Sequence, residues 1–276
     1  MQLPLSIGSP LAFPAGRAPG FDPTHIAAQG ISQGHGFSGI ANGASFVNLL
    51  SGTNAARSIL TASLNGNIGP ALTLGTVSTA RFSGQSTVND ANVTLASIIW
   101  PTSLASSGSI LATSTTGTSG WTLNLAITTG VVILRPNGGT SYTSTLGLAI
   151  NTPYFVAAST QGTQAVFLVT NLLTGVTTTQ TVTASHASTA PNGTYGVGNN
   201  SSINSIVGLV AAAMFAPSYM SISQLLQWAQ SPWDFWYPPT VNDYIFAETV
   251  GTSGPPPTFL AAWALGRNRI VDGVAT

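Results

Sequence analysis

The sequence predicts an all-β fold of the sandwich or jelly-roll type. Three observations carry that expectation. Short apolar or alternating runs rich in Val, Ile, Leu and Thr recur along the chain, turn residues separate them at regular spacing, and only one short stretch has a helical period. The chain has 276 residues, 43% of them hydrophobic, enough to build a sizeable core.

Taken in order, residues 1–45 are rich in Gly and Pro. Pro10, Pro14, Pro19 and Pro23 prevent a helix and disfavour central strands, so an extended N-terminal arm is expected. The sandwich is expected over 46–240. "FVNLLSG", "ALTLGTVSTARFSG", "VTLASIIWP", "GSILATS" and "WTLNLAI" read as strands. "VVILRPNGGTSYTSTLGL" holds two more around a hairpin turn, "RPNGG". "YFVAAST", "AVFLVTN" and "TTTQTVTAS" continue the series, with "NLLTG" as the turn between the last two. "IVGLVAAAMFAP" (206–217) reads as a buried strand, too short to span a bilayer. "SISQLLQWAQ" is the one helix. Ser221 caps it, Gln224 completes a capping box, and Ile222, Leu225, Leu226 and Ala229 fall on one face before Pro232 stops it. Residues 241–276 form a C-terminal tail carrying "SGPPP" and the apolar "TFLAAWALG".

Charge is nearly absent. Charged residues make up 4% of the chain, against roughly 25% in ordinary soluble proteins. There is no lysine and the formal net charge is zero, which argues against a nucleic-acid footprint or a polybasic membrane patch; with the longest apolar run too short to span a bilayer, no membrane insertion is expected. A surface made polar by Ser, Thr, Asn, Gln and Gly gains little solubility from repulsion, so self-association with weak salt dependence is expected. Without cysteine, neither a disulfide nor a thiolate metal site can form. "MQLPLSIGSPLAF" lacks the pattern of a signal peptide, so synthesis in the cytoplasm without processing is expected.

Catalytic chemistry finds little support. The acids are Asp22, Asp90, Asp234, Asp243, Glu248 and Asp272, and no two form a closely spaced pair such as most glycosidases use. "GFSGI" (36–40) lacks the strand–turn–helix setting of a nucleophile elbow. His25, His35 and His186 have no metal-like spacing and read as solvated or arm-packing residues. The expectation is that the chain is not an enzyme and has no cofactor. Calcium is the one ion weighed, through the oxygens of "VNDAN" around Asp90 and of "GNNSSIN" (198–204), where ordinary Asn-rich turns are the simpler reading.

Aromatics are the other chemical signal. "QSPWDFWYPP" (230–239) places Trp233, Phe235, Trp236 and Tyr237 together. They read first as a plug over the body's own core, continuing the helix's apolar face, and second as an anchor for a neighbouring subunit, together with Phe259 and Trp263 of the tail. Trp100, Trp121 and Tyr142, at strand ends or hairpins, read as core or rim residues; exposed beside Asn or Gln, any of them becomes a stacking platform for a sugar.

Several segments carry a resemblance. "AGRAPGFDPTHIAAQG" (15–30), "VTLASIIWP" (93–101), "NTPYFVAAST" (151–160) with "FLVTNLLTG" (167–175), and "IVGLVAAAMFAPSYMSISQLLQWAQSPWDFWYP" (206–238) are similar to phage-encoded concanavalin A-like sandwiches of the LamG type. The resemblance covers roughly 15–240 and implies a jelly-roll sandwich in a bacteriophage setting. With the low charge and the Pro-rich or apolar termini, the expected role is a structural virion component, a capsid decoration or fibre-associated protein. Its terminal arms would join sister copies in a cyclic homo-oligomer, or other virion proteins. The alternative is a lectin-like module that binds a cell-surface glycan for host attachment.

Overall fold

A computed structural model of the chain describes residues 14, 25, 33–36, 46–47, 54–58, 61–65, 68–76, 79–82, 92–113, 120–136, 139–184, 195–198, 204–236, 260–262 and 269–271. They form a jelly-roll β-sandwich of two antiparallel sheets with one short helix, as the sequence predicts.

The first sheet is built on strands that are buried along most of their length. At its centre lie β7 (Asn92–Ser103) and β16 (Val207–Ala216), flanked on one side by β12 (Tyr154–Gln161), β13 (Gln164–Asn171) and the edge strand β14 (Thr177–Thr183). On the other side β16 pairs with β5 (Gly69–Leu74), which pairs with β4 (Thr61–Asn65). β1 (Gln33–Gly36), from the Pro-rich N-terminal stretch, also pairs with β16, with His35 opposite Ala213. The second sheet runs β11 (Tyr142–Gly147), β10 (Val131–Pro136), β9 (Trp121–Leu125), β8 (Gly108–Ala112), β15 (Tyr195–Gly198), β6 (Thr79–Phe82), β3 (Asn54–Ser58), β2 (Phe46–Val47). In the tail, β17 (Leu260–Ala262) and β18 (Arg269–Val271) pair with each other.

Two cores follow from the two-residue period of a strand. On the first sheet, Phe167, Ala158, Leu95 and Phe215 stand in one cross-strand row and belong to the core between the sheets. They face Tyr142, Leu134, Leu123, Leu111 and Val197, a row in the second sheet. One residue over, Leu168, Ala157, Ala96 and Met214 form a row on the opposite face, and that face is buried too. This double burial explains why "VGLVAAAMFA" is apolar throughout.

A bulge sets the facing of β16. Ile99 pairs with Val210 and Ile98 with Ala212, leaving Ala211 as the extra residue. Val210 faces the inter-sheet core, and beyond the bulge Ala213 and Phe215 face it. Without the extra residue, Ala212 and Met214 would take those positions.

The outer face of the first sheet is covered by α1 (Ile222–Ala229) and the turns after it. The capping box is present: Gln224 N–H donates to Ser221 Oγ at 3.4 Å, and Ser221 N–H donates to Gln224 Oε1 at 2.8 Å. The buried face is Leu225, Trp228 and Ala229, whereas Leu226 is exposed. Trp228, one turn after Leu225, carries far more apolar surface than Leu226 and so rotates the helix toward itself. Buried hydroxyls fix where the helix begins: Met220 N–H donates to Ser159 Oγ (2.8 Å), and Thr94 Oγ1 donates to the Ser218 carbonyl (2.7 Å).

Candidate functional site

The aromatic segment packs inside this cover. Trp233, Phe235 and Trp236 are buried beside Trp228, Phe155 and a floor of small residues that includes Ala96, Ala157 and Ala212. The Phe155 and Trp228 ring centroids lie 4.9 Å apart, and Trp228 lies 5.4 Å from both Phe235 and Trp236. Trp228 Nε1–H donates to the Pro232 carbonyl at 3.2 Å. His25 packs edge-on against Trp228 (5.7 Å) and Phe235 (5.6 Å), so the N-terminal segment touches this cover. Asp234 is itself buried. Trp228 was no candidate in the sequence; its i+3 relation to Leu225 is the signal that marks it. Tyr237, Phe259 and Trp263 lie outside the described residues.

The three candidate sugar-stacking residues separate. Trp121 and Tyr142 lie in the inter-sheet core with their rings stacked 6.1 Å apart, and the Tyr142 hydroxyl donates to the Gly162 carbonyl at 2.9 Å. Neither ring face is open. Burial also raises the Tyr142 phenol above its ordinary value of 10.0. Trp100 is half-buried, at the margin of the helix cover on the first sheet's outer face. It stands directly opposite Leu209, and Leu209 opposite Thr73, giving a half-buried row of Trp, Leu and Thr across three strands.

The backbone beneath Trp100 is tightly held. A Cβ on Gly208 would lie 2.3 Å from the Trp100 carbonyl oxygen and 2.9 Å from Pro101 Cα, so only glycine lets β16 approach there. Thr102, the next residue but one, is exposed and donates from Oγ1 to the Val207 carbonyl at 3.3 Å. Asn151 N–H donates to the Pro101 carbonyl at 2.7 Å, bringing the exposed 149–151 segment beside the rim. No Asp, Glu, Lys, Arg or His occurs within 68–76, 92–113, 147–153 or 204–210, so the described segments around this rim carry no charge. Such a rim offers one aromatic face with hydroxyl and amide groups and no ionic group, which suits a neutral polar ligand with an apolar side.

The remaining candidates give no constellation. Asp22, Asp90, His186, Asp243, Glu248 and Asp272 lie outside the described residues, as do 37–40 of "GFSGI" and 199–203 of the Asn-rich stretch weighed for calcium. Among the described residues no three of His, Cys, Asp or Glu come together. No described helix is long and apolar enough to cross a membrane.

No family model and no curated protein matches the chain. Solved structures do. The receptor-binding domain of botulinum neurotoxin type G has a TM-score of 0.51 at 11% identity, over 76% of this chain and 54% of that one. The Trypanosoma rangeli sialidase in complex with a difluoro-nononic acid has a TM-score of 0.51 at 12% identity, over 79% of this chain and 37% of that one. The enzymatically active domain of bacteriophage CBA120 tailspike protein 2 has a TM-score of 0.47 at 14% identity, over 65% and 30%, a likeness too loose to bear on function. The chain thus spans about a third to a half of the length of these structures. At such identities the first two establish a shared fold.

These comparisons correct the expectation that the chain is not an enzyme. The sandwich fold is shared with a sialidase over 37% of that chain at 12% identity, and a carboxylate pair is not common to all glycosidases. The missing carboxylate pair therefore does not exclude hydrolysis by a chain of this architecture, and enzymatic activity is compatible with it.

Proposed function

We propose that this chain is a carbohydrate-recognising sandwich module carried on a bacteriophage virion. The observation that carries the reading is the Trp100 rim: a half-buried indole among described segments that carry no charge, beside exposed hydroxyl and amide groups and fixed from below by Gly208. A pyranose presents one apolar face and a ring of hydroxyls, which such a rim matches without charge. Two solved structures with this fold support recognition as its use, one a receptor-binding domain and one a sialidase holding a sugar acid. Among the described residues the rim has no cation to pair with a carboxylate, so a neutral hexose or N-acetylhexosamine fits it better than a sialic acid. The phage setting comes from the sequence resemblance.

Calorimetric titration of soluble host-surface oligosaccharides tests the reading. The wild type should bind a neutral glycan, and Trp100→Ala should weaken that binding about tenfold or more, as loss of an aromatic stacking face does. Equal binding by both proteins would remove the rim from the account. Following the same mixtures for released reducing ends detects turnover.

A structural role in the particle is the second reading. The observation favouring it is the 4% charge, which leaves little repulsion between copies. A protein lacking 241–276 that folds but fails to join particles would support it.

A further inference from the structure

Four of the five large apolar side chains that stand exposed among the described residues lie at one end of the sandwich. They are Ile127 (51% exposed), Ile150 (47%), Leu173 (59%) and Val176 (61%). They come from three connections: β9–β10, β11–β12 and β13–β14. Backbone hydrogen bonds join these connections into one platform. Thr128 N–H donates to the Leu104 carbonyl (2.8 Å), Leu148 N–H to Gly130 (3.1 Å), Asn151 N–H to Pro101 (2.7 Å) and Leu172 N–H to Pro153 (3.0 Å).

From this platform we infer that the loop end makes contact with a lipid surface, its aliphatic tips entering the boundary between headgroups and acyl chains. Two observations favour lipid over a protein partner. The first is closure of the backbone donors in two of the three connections. Every N–H from 126 to 130 has an acceptor within the protein: Val131, Leu104, Ile127 and Ala126 carbonyls, and Ser107 Oγ. Every N–H from 171 to 176 does too, through the Val176, Pro153 and Asn171 carbonyls, Asn171 Oδ1 and Thr174 Oγ1. Surface loops usually leave such groups to water; loops entering a water-poor medium must satisfy them internally. The second is shape and area. Four separate half-exposed tips amount to a few hundred Å² at most, well short of the roughly 800 Å² each partner gives to a stable protein interface. A fluid acyl boundary moulds around separate tips, as a rigid partner does not.

Charge points the same way. Residues 101–107, 126–130, 147–153 and 171–176 contain no ionisable side chain, so entering the headgroup layer desolvates no charge. Attraction to anionic lipid plays no part, and the contact is insensitive to salt. Thr128 holds a positive φ of 65° at the β9–β10 turn, a strained setting for a β-branched residue, next to the outward-pointing Ile127. The contact lies on the surface of the bilayer and spans nothing. It goes beyond the sugar reading, since a soluble glycan makes no demand on these tips.

The test is co-sedimentation of the full chain with neutral phosphatidylcholine vesicles at low and at molar salt. The wild type should partition equally at both. Combining Ile127→Ser, Leu173→Ser and Val176→Ser should lower partitioning by about threefold to tenfold per residue, as expected for withdrawing half a side chain from an apolar phase. Leu226→Ser, on the helix, should leave it unchanged. Melting temperatures should be unaltered in both variants, because all four side chains are exposed. Wild type that stays in the supernatant, or equal losses in the two variants, overturns the proposal. So does concentration-dependent dimerisation abolished by the triple variant, which would make a second copy the occupant.

Discussion

The indole Nε1 of Trp236 donates a hydrogen bond to the carbonyl oxygen of Ala213, 3.2 Å away, and joins the segment after the helix to a central strand. Ala213 is the second residue past the bulge at Ala211, so the bulge that sets β16's inner face also places this acceptor. Trp236→Ala should therefore destabilise the protein by about 3–5 kcal/mol, the cost of removing a large core side chain. Trp236→Phe keeps much of the volume and loses the hydrogen bond, and should cost less than the alanine. Denaturant melts measure both; an alanine variant as stable as wild type would mean that the segment lies elsewhere in solution.

Gly208→Ala should lower stability and weaken glycan binding together. The added Cβ meets backbone atoms of Trp100 and Pro101, which cannot swing aside as a side-chain end can. Thermal melts and titration of the same variant check the coupling. Loss of stability with unchanged affinity would separate Gly208 from the rim.

Asn124 makes the opposite prediction. Its Oδ1 is buried with no hydrogen-bond partner, while its Nδ2 donates to Thr122 Oγ1 at 3.1 Å. An unsatisfied buried carbonyl costs about 1–3 kcal/mol. Asn124→Val, on a strand that favours β-branched residues, should leave the melting temperature unchanged or raise it. A clear fall would reveal a partner for Oδ1 in solution.

Stability should fall at alkaline pH through Tyr142. Its phenol is raised above 10.0 by burial, so the folded protein holds that proton more tightly than the unfolded chain. Below the ordinary value the group is neutral in both states and contributes no slope. Above it the unfolded chain ionises first and is favoured. Tyr142→Phe should flatten this alkaline decline. A decline of equal slope in the variant would assign it to another group.

Much of this architecture is legible in the chain. Strand period and turn residues locate β7, β9, β12, β13 and β16, and Ser221 with Gln224 marks the helix start. Features that depend on tertiary competition are hidden. The helical period allows either Trp228 or Leu226 beside Leu225, and the floor of alanines that favours Trp228 comes from distant strands. The bulge at Ala211 shows only once Ile98 and Ile99 are paired across the sheet. Trp121 and Tyr142 look like hairpin residues in sequence and turn out to stack on each other in the core from the two strands that flank β10. The loop end is invisible for a related reason: Ile127, Ile150 and Val176 become neighbours only when three distant turns meet.

The account centres on Trp100 as the place where a neutral sugar docks, and tryptophan side-chain NMR on the full protein tests that most directly. The account predicts that a bound host-surface oligosaccharide shifts the Trp100 indole signal in a saturable way, at the concentrations that saturate calorimetry, while the buried indoles of Trp121, Trp228 and Trp236 stay in place. Saturable binding that leaves Trp100 unmoved would contradict it.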